Sequence, residues 1–134
     1  MSLKTVEWKD NSVIMIDQTK LPNSLEFVTY TDYNQIADAI KTLVVRGAPA
    51  IGVSGAFGLA LAVLQCDTKD KDELITYLEN AKKILFQTRP TAVNLTWGLE
   101  KIMRVAKNAG TVDEIRKSVI DAAKLMANED IQIN

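Results

Sequence analysis

Apolar and polar residues change their rhythm once along this chain. Up to Tyr30 they alternate in short runs, and after Thr31 the apolar positions recur every three to four residues to the end. The first part therefore predicts strands and the second helices. "VEWKDNSVIMID" sets the turn formers Asp10, Asn11 and Ser12 between two runs rich in Val, Ile and Trp, which predicts a hairpin. "QTKLPNS" is a loop marked by Pro22 and Asn23, and a third short strand is predicted over Glu26 to Tyr30.

Five helices are predicted beyond it. Asp32 with Gln35 forms a capping box ahead of the stripe Ile36, Ala39, Ile40 and Leu43, a helix that should end near Gly47. Pro49 suits the first position of a second helix reaching about Cys66. Asp70 and Glu73 cap a third that carries Leu74, Leu78, Ala81 and Leu85 on one face until "TRPTAVN" interrupts it. The fourth presents Leu95, Leu99, Ile102, Met103 and Ala106 and stops at Gly110, in the position of a C′ residue. Thr111 and Glu114 box the fifth, whose Val112, Ile115, Val119, Ala122 and Met126 share a face. The fold class is α+β: a small N-terminal antiparallel β-sheet followed by a bundle of about five helices.

The 134 residues suit one domain, with residues 1–30 as the sheet and 31–134 as the bundle, and neither a repeat nor a linker divides them. "MANEDIQIN" ends in helical texture without a cap, so the chain is expected to be cut short of a further domain. A hydrophobic share of 47% and a charged share of 25% exclude a disordered or fibrous chain. Sixteen basic residues against 17 acidic ones leave a charge of −1, which offers no footprint for nucleic acid or an anionic membrane. The single Cys66 cannot form an internal disulfide, and "MSLKTVEWKD" lacks the apolar core of a signal peptide, so a cytoplasmic location is expected. With no histidine, His-dependent triads are excluded and a metal site is not expected.

The stretch "VVRGAPAIGVSGAFG" carries the strongest local signal. From Ala48 to Leu64 Ser54 is the only polar side chain, near the lower length limit of a membrane span. Aromatic flanks and a second span are missing, and a helix apolar all round fits a buried central position better. Each of Gly52, Gly55 and Gly58 costs about 1 kcal/mol of helix propensity relative to alanine. Close approach of neighbouring backbones would offset that cost.

Just before this helix, the Gly47 and Ala48 amides should lie at a helix N-terminus, where free N–H groups and the positive end of the dipole attract anions. The fork of Arg46 suits phosphate there. Arg89 stands in a similar setting, "QTRPTAVN", again directly before a proline and a helix. Two such corners could converge on one anion. The bland alternatives are that Arg46 is a last-turn cation at a helix C-terminus and Arg89 a solvated loop charge.

"VVRGAPAIGVSGAFGLALA", "TRPTAVNLTWGLEKI" and the terminal "ANEDIQIN" together resemble the N-terminal half of the methylthioribose-1-phosphate isomerases, over essentially the whole chain and in order. More distantly the chain resembles archaeal ribose-1,5-bisphosphate isomerases and the alpha, beta and delta regulatory subunits of the translation-initiation guanine-nucleotide exchange factor. The resemblance implies an aldose-to-ketose isomerisation of a 1-phosphorylated thioribose in methionine salvage. It implies substrate contacts, chiefly to phosphate, from Arg46, Gly47, Ala48 and Arg89, no cofactor, and a homodimer in the full-length protein. The family's catalytic cysteine and aspartate belong to a Rossmann-like C-terminal domain absent from this chain. No catalytic residue is therefore assigned, and the chain alone is expected to be inactive.

Cys66 is not the counterpart of that cysteine and reads as a small core residue. Asn94 is expected to serve capping or a backbone hydrogen bond, and Trp97 and Phe57 to lie in the core. Asp17, Glu100, Glu129 and Asp130 show no pairing that would make one a general base. The alternative function is a noncatalytic interaction domain of the initiation-factor type that retains an anion pocket.

Overall fold

The computed structural model describes residues 6–42, 44 and 48–133, with only the backbone described at Ala48 and over 129–133. Strands β1 (Val6–Lys9), β2 (Ser12–Ile16) and β3 (Phe27–Tyr30) form an antiparallel sheet in the order β1-β2-β3. Pairing of Lys9 with Ser12 leaves Asp10 and Asn11 as the hairpin's two-residue turn, with φ of 53° and 59°. Both central residues of such a turn must be left-handed, and Asp and Asn tolerate that conformation best after glycine. A single 3-10 turn, Gln18–Lys20, follows, with the Asp17 carboxylate accepting from the Thr19 amide at 2.9 Å.

Five helices follow: α1 (Tyr33–Lys41), α2 (Ala48–Gln65), α3 (Lys71–Thr88), α4 (Val93–Asn108) and α5 (Val112–Ile133). Their starts obey the sequence signals. Asp32 accepts from the Asn34 amide at 2.8 Å while Gln35 reaches back to the Asp32 amide at 3.2 Å. Asp70 accepts from the Asp72 amide at 3.0 Å. Glu73 instead takes the hydroxyl of Thr68 at 2.9 Å, and that hydroxyl receives the Asp70 amide at 3.1 Å. The Glu114 amide donates to the Thr111 hydroxyl at 3.2 Å.

Two boundaries and one face position differ from expectation, the first being that α2 opens at Ala48 with Pro49 second rather than first. Helix α1 ends at Lys41 rather than near Gly47, because the Val44 amide turns back to the Ala39 carbonyl at 3.0 Å, a Schellman-type closure. The Val44 carbonyl then accepts the Gln18 amide at 2.9 Å, so the connector is tied to the loop that leaves the sheet. On α5 the buried residue is Ala123 rather than Ala122, since i+4 from Val119 keeps closer to the stripe.

Helix α2 is the centre of the bundle and packs against α1, α3, α4 and α5. No ionisable side chain interrupts it; its buried Ser54 donates to the Ala50 carbonyl of its own helix at 2.7 Å. The sheet lays Val6, Val13 and Met15 against the same apolar cluster, and the Trp8 ring lies 5.6 Å from that of Phe57 on α2. No helix among the described residues is long and apolar enough to cross a membrane.

The C-terminus of α2 is held by a side chain from α5. Arg116 donates through Nε to the Val63 carbonyl at 3.0 Å and through one terminal nitrogen to Cys66 at 2.7 Å and Thr68 at 3.0 Å. Carbonyls at a helix end otherwise need water or a cap, and a guanidinium also complements the negative end of the dipole. Gln65, the last residue of α2, accepts the Tyr33 amide at 2.8 Å and so ties in the start of α1.

Replacing Arg116 with Met should therefore lower unfolding free energy by about 2 kcal/mol or more, because charge-assisted bonds to three carbonyls are lost together. Urea denaturation measures it. Replacing Asp32 with Ala should cost about 1 kcal/mol at neutral pH. Hydrogen bonding from the Asn34 amide, more than any other factor, holds the Asp32 carboxyl below its ordinary value, so its contribution is present above about pH 4 and fades as pH falls through the folded-state value. The stability gap between native and Asp32→Ala chains should shrink on acidification.

Candidate functional site

The second arginine corner is a four-residue turn between α3 and α4. Arg89 closes α3 as its C-cap, and its amide donates to the Phe86 carbonyl at 3.2 Å. Its own carbonyl accepts the Ala92 amide at 3.0 Å, so Arg89-Pro90-Thr91-Ala92 is a tight turn with proline in its favoured second place. Helix α4 begins immediately afterwards. Its N-cap is Ala92, which offers no side-chain hydrogen bond, whereas α1 and α3 start under an aspartate and α5 opens beside the Thr111 hydroxyl. The first amides of α4 thus have no side-chain cap from Ala92, and the half-buried Arg89 stands in the turn just before them.

The start of α2 lies against this helix. A Cβ placed on Gly52, in the second turn of α2, would stand 2.9 Å from the Asn94 carbonyl oxygen, and one on Gly98 would stand 2.7 Å from the Gly52 carbonyl oxygen. Two backbones in such contact place the first turns of α2 and α4 side by side. Arg46 and Gly47 lie outside the described residues, and Ala48 enters as the first residue of α2. Of the four residues singled out in the sequence, the structure thus describes Ala48 and Arg89, each within a few residues of this crossing.

The glycines of α2 serve packing, and they do so in two ways. Gly52 meets backbone, while Gly55 and Gly58 would meet the side-chain ends of Leu95 at 2.6 Å and Leu85 at 2.9 Å. Gly98 escaped the sequence reading. The signal that could have found it is a glycine in mid-period on a helix that is otherwise well formed.

Other expectations divide. Phe57 is buried, but Trp97 is 55% exposed: it follows Val93, itself 78% exposed, by one turn on the outer face of α4, away from the Leu95, Leu99 and Ile102 stripe. Lys101 lies 4.9 Å over its ring. Asn94 does not cap α4, that position being Ala92, and is exposed at the crossing with Gly52. Cys66 packs at the edge of the core, where burial raises its thiol pKa despite the lowering effect of Arg116. A protonated thiol is a poor nucleophile, and with α2 spanning 18 residues it stands about 27 Å from the corner at Ala48.

With Arg89 at the turn before α4 and the start of α2 packed beside that helix, the arrangement supplies no proton-transfer pair among the described residues. The sequence profile of the Initiation factor 2 subunit family (IF-2B) matches residues 44–134, which contains both corners. The chain belongs to that family. It is 43% identical to a methylthioribose-1-phosphate isomerase of Crocosphaera subtropica over 128 residues, covering 95% of this chain and 37% of the relative. Another isomerase of that name, from Geobacter metallireducens, is 42% identical over 135 residues, covering 99% of this chain and 39% of the relative.

Two solved structures superpose closely. The translation initiation factor eIF-2B subunit delta of A. fulgidus has a TM-score of 0.92 at 42% identity, covering 97% of this chain and 38% of that one. The 5-methylthioribose 1-phosphate isomerase of Pyrococcus horikoshii has a TM-score of 0.91 at 40% identity, covering 96% of this chain and 36% of that one. The chain therefore corresponds to the N-terminal portion of such proteins, sheet and helical bundle together, and spans well under half of their length.

Exposure separates the two aromatics experimentally. Trp97→Ala should change stability by no more than about 0.5 kcal/mol, whereas Phe57→Ala should cost about 3–5 kcal/mol. Chemical denaturation of the two variants checks the placement.

Proposed function

We propose that this chain is the phosphate-binding part of a methylthioribose-1-phosphate isomerase, with Arg46, Gly47, Ala48 and Arg89 receiving the phosphate of an S-methyl-5-thioribose 1-phosphate. The observation that carries the reading is the contact of α2 and α4 at Gly52 and Asn94, which brings two helix starts together with Arg89 beside them. Free amides at helix starts and arginine forks are the two protein groups best matched to a phosphate dianion. The named relatives carry the same activity in their description.

In the complete protein the reaction moves hydrogen between C1 and C2 of the opened sugar. That step needs a proton donor and acceptor, and the cysteine and aspartate implied by the family resemblance fall outside this chain. Its contribution is to anchor the phosphate, which is carried on the reacting C1 but keeps its own bonds throughout, so that binding energy from a group that does not itself react holds C1 and C2 in place. Cys66, with its raised thiol pKa at the far end of α2, takes no part.

The superposition on the A. fulgidus initiation-factor subunit favours a second reading, an interaction domain that keeps the anion corner for sensing a sugar phosphate or nucleotide. Kinetics of the longer protein distinguish the two. Under the isomerase reading, Arg46→Ala and Arg89→Ala should each weaken substrate binding by about 2 kcal/mol or more, as loss of a charge-assisted bond does. Near-normal kinetics in both variants would sink it. The chain of 134 residues should by itself show no turnover of the sugar phosphate.

A further inference from the structure

We infer that Gly52 is a positioning residue for the phosphate corner: its missing side chain fixes how closely the starts of α2 and α4 approach. The inference rests on the reading of that corner as a phosphate site and adds to it a residue that touches no ligand.

The three glycines of α2 are not equivalent. A Cβ on Gly58 would meet the Leu85 methyl groups at 2.9 and 3.1 Å, and one on Gly55 the Leu95 methyl at 2.6 Å. Those neighbours are ends of rotatable side chains and can swing aside. A Cβ on Gly52 would meet the Asn94 carbonyl oxygen at 2.9 Å and its carbon at 3.4 Å. Here the neighbour is the first turn of another helix, whose backbone moves only if the helix moves. The contact is reciprocal, since Gly98 on α4 receives the Gly52 carbonyl oxygen just as closely, 2.7 Å from the position of an added Cβ.

The consequence is local to the corner. Gly52 follows Ala48 by four residues, about 6 Å along the axis, and Asn94 is the second residue of α4. Relief of the contact from 2.9 Å to the 3.4 Å at which ordinary packing begins requires about 0.5 Å of separation between the two helix starts. Binding constellations must be held to about that tolerance for their hydrogen bonds to remain aligned. Gly58 lies about 9 Å further along α2 and faces α3 and α1, so crowding there leaves the corner alone.

Titration calorimetry of the chain with ribose 1-phosphate, paired with thermal unfolding, tests this. Gly52→Ala should bind about tenfold or more weakly while remaining folded, since alanine improves helix propensity, and Gly58→Ala should bind within about twofold of the native chain. Arg89→Ala serves as the control for the site. If Arg89→Ala loses binding while Gly52→Ala keeps it within about twofold, the positioning role is wrong and the phosphate reading stands. If Arg89→Ala binds as the native chain does, the phosphate reading fails and takes this inference with it. Should Gly52→Ala not fold, Gly98→Ala presses the same contact from the other helix and is judged by the same criteria. A stability loss shared by Gly52→Ala and Gly58→Ala, with affinity unchanged in both, would mark ordinary packing and overturn the proposal.

Discussion

The contact of backbone with backbone where α2 crosses α4 is the constraint on which the rest depends. Helices separated by ordinary side chains keep their axes 8 to 10 Å apart. The glycine pair Gly52 and Gly98 removes the side chains at the crossing, so carbonyl oxygens rather than methyl groups define the contact. The arrangement forgoes about 1 kcal/mol of helix propensity at each glycine. What it yields is a fixed juxtaposition of two helix starts, and Arg89 lies close in sequence to it because only four residues, Arg89 to Ala92, separate α3 from α4.

Around this crossing α2 behaves as a rod held at several points. Its sides are leucine, alanine and valine against four other helices, and its far end is closed by Arg116 and by the bond from Tyr33 to Gln65. The sheet joins the assembly through Trp8 on Phe57 and through the Gln18 amide on the Val44 carbonyl. The second of these ties the loop after β2 to the connector that leads into α2. The sheet thus bears on the middle of α2 through Phe57, and the loop after β2 bonds to the chain ahead of that helix through Val44.

Much of the fold was legible because it rests on local chemistry. The Asp10-Asn11 turn, the Asp32 to Gln35 box and the Thr111 cap on the Glu114 amide are each decided by a few adjacent side chains, and the stripes of α3 and α4 follow from period alone. What was not legible depends on partners distant in sequence. The end of α1 is set partly by a bond to Gln18, the C-terminus of α2 by Arg116 about fifty positions on, and the exposure of Trp97 by which face of α4 turns to α2. The corners were visible as arginine, proline and helix start in succession. Their convergence could only be raised as a possibility, since nothing within "RGAPAIG" or "RPTAVNL" encodes that Gly52 lies on Asn94.

The guanidinium at the C-terminus of α2 has a consequence for the opposite end. Helix α2 carries no titratable side chain, its last carbonyls face a group that stays charged throughout the accessible range, and the whole sequence lacks histidine. The nearby Cys66 thiol is pushed towards its neutral form. The axial field of this helix is consequently constant from mildly acidic to mildly alkaline solution. A phosphate monoester held at its start would meet an environment that does not titrate, so between pH 5 and 8 its affinity for this end of the helix would follow the ester's own second ionisation, near pH 6.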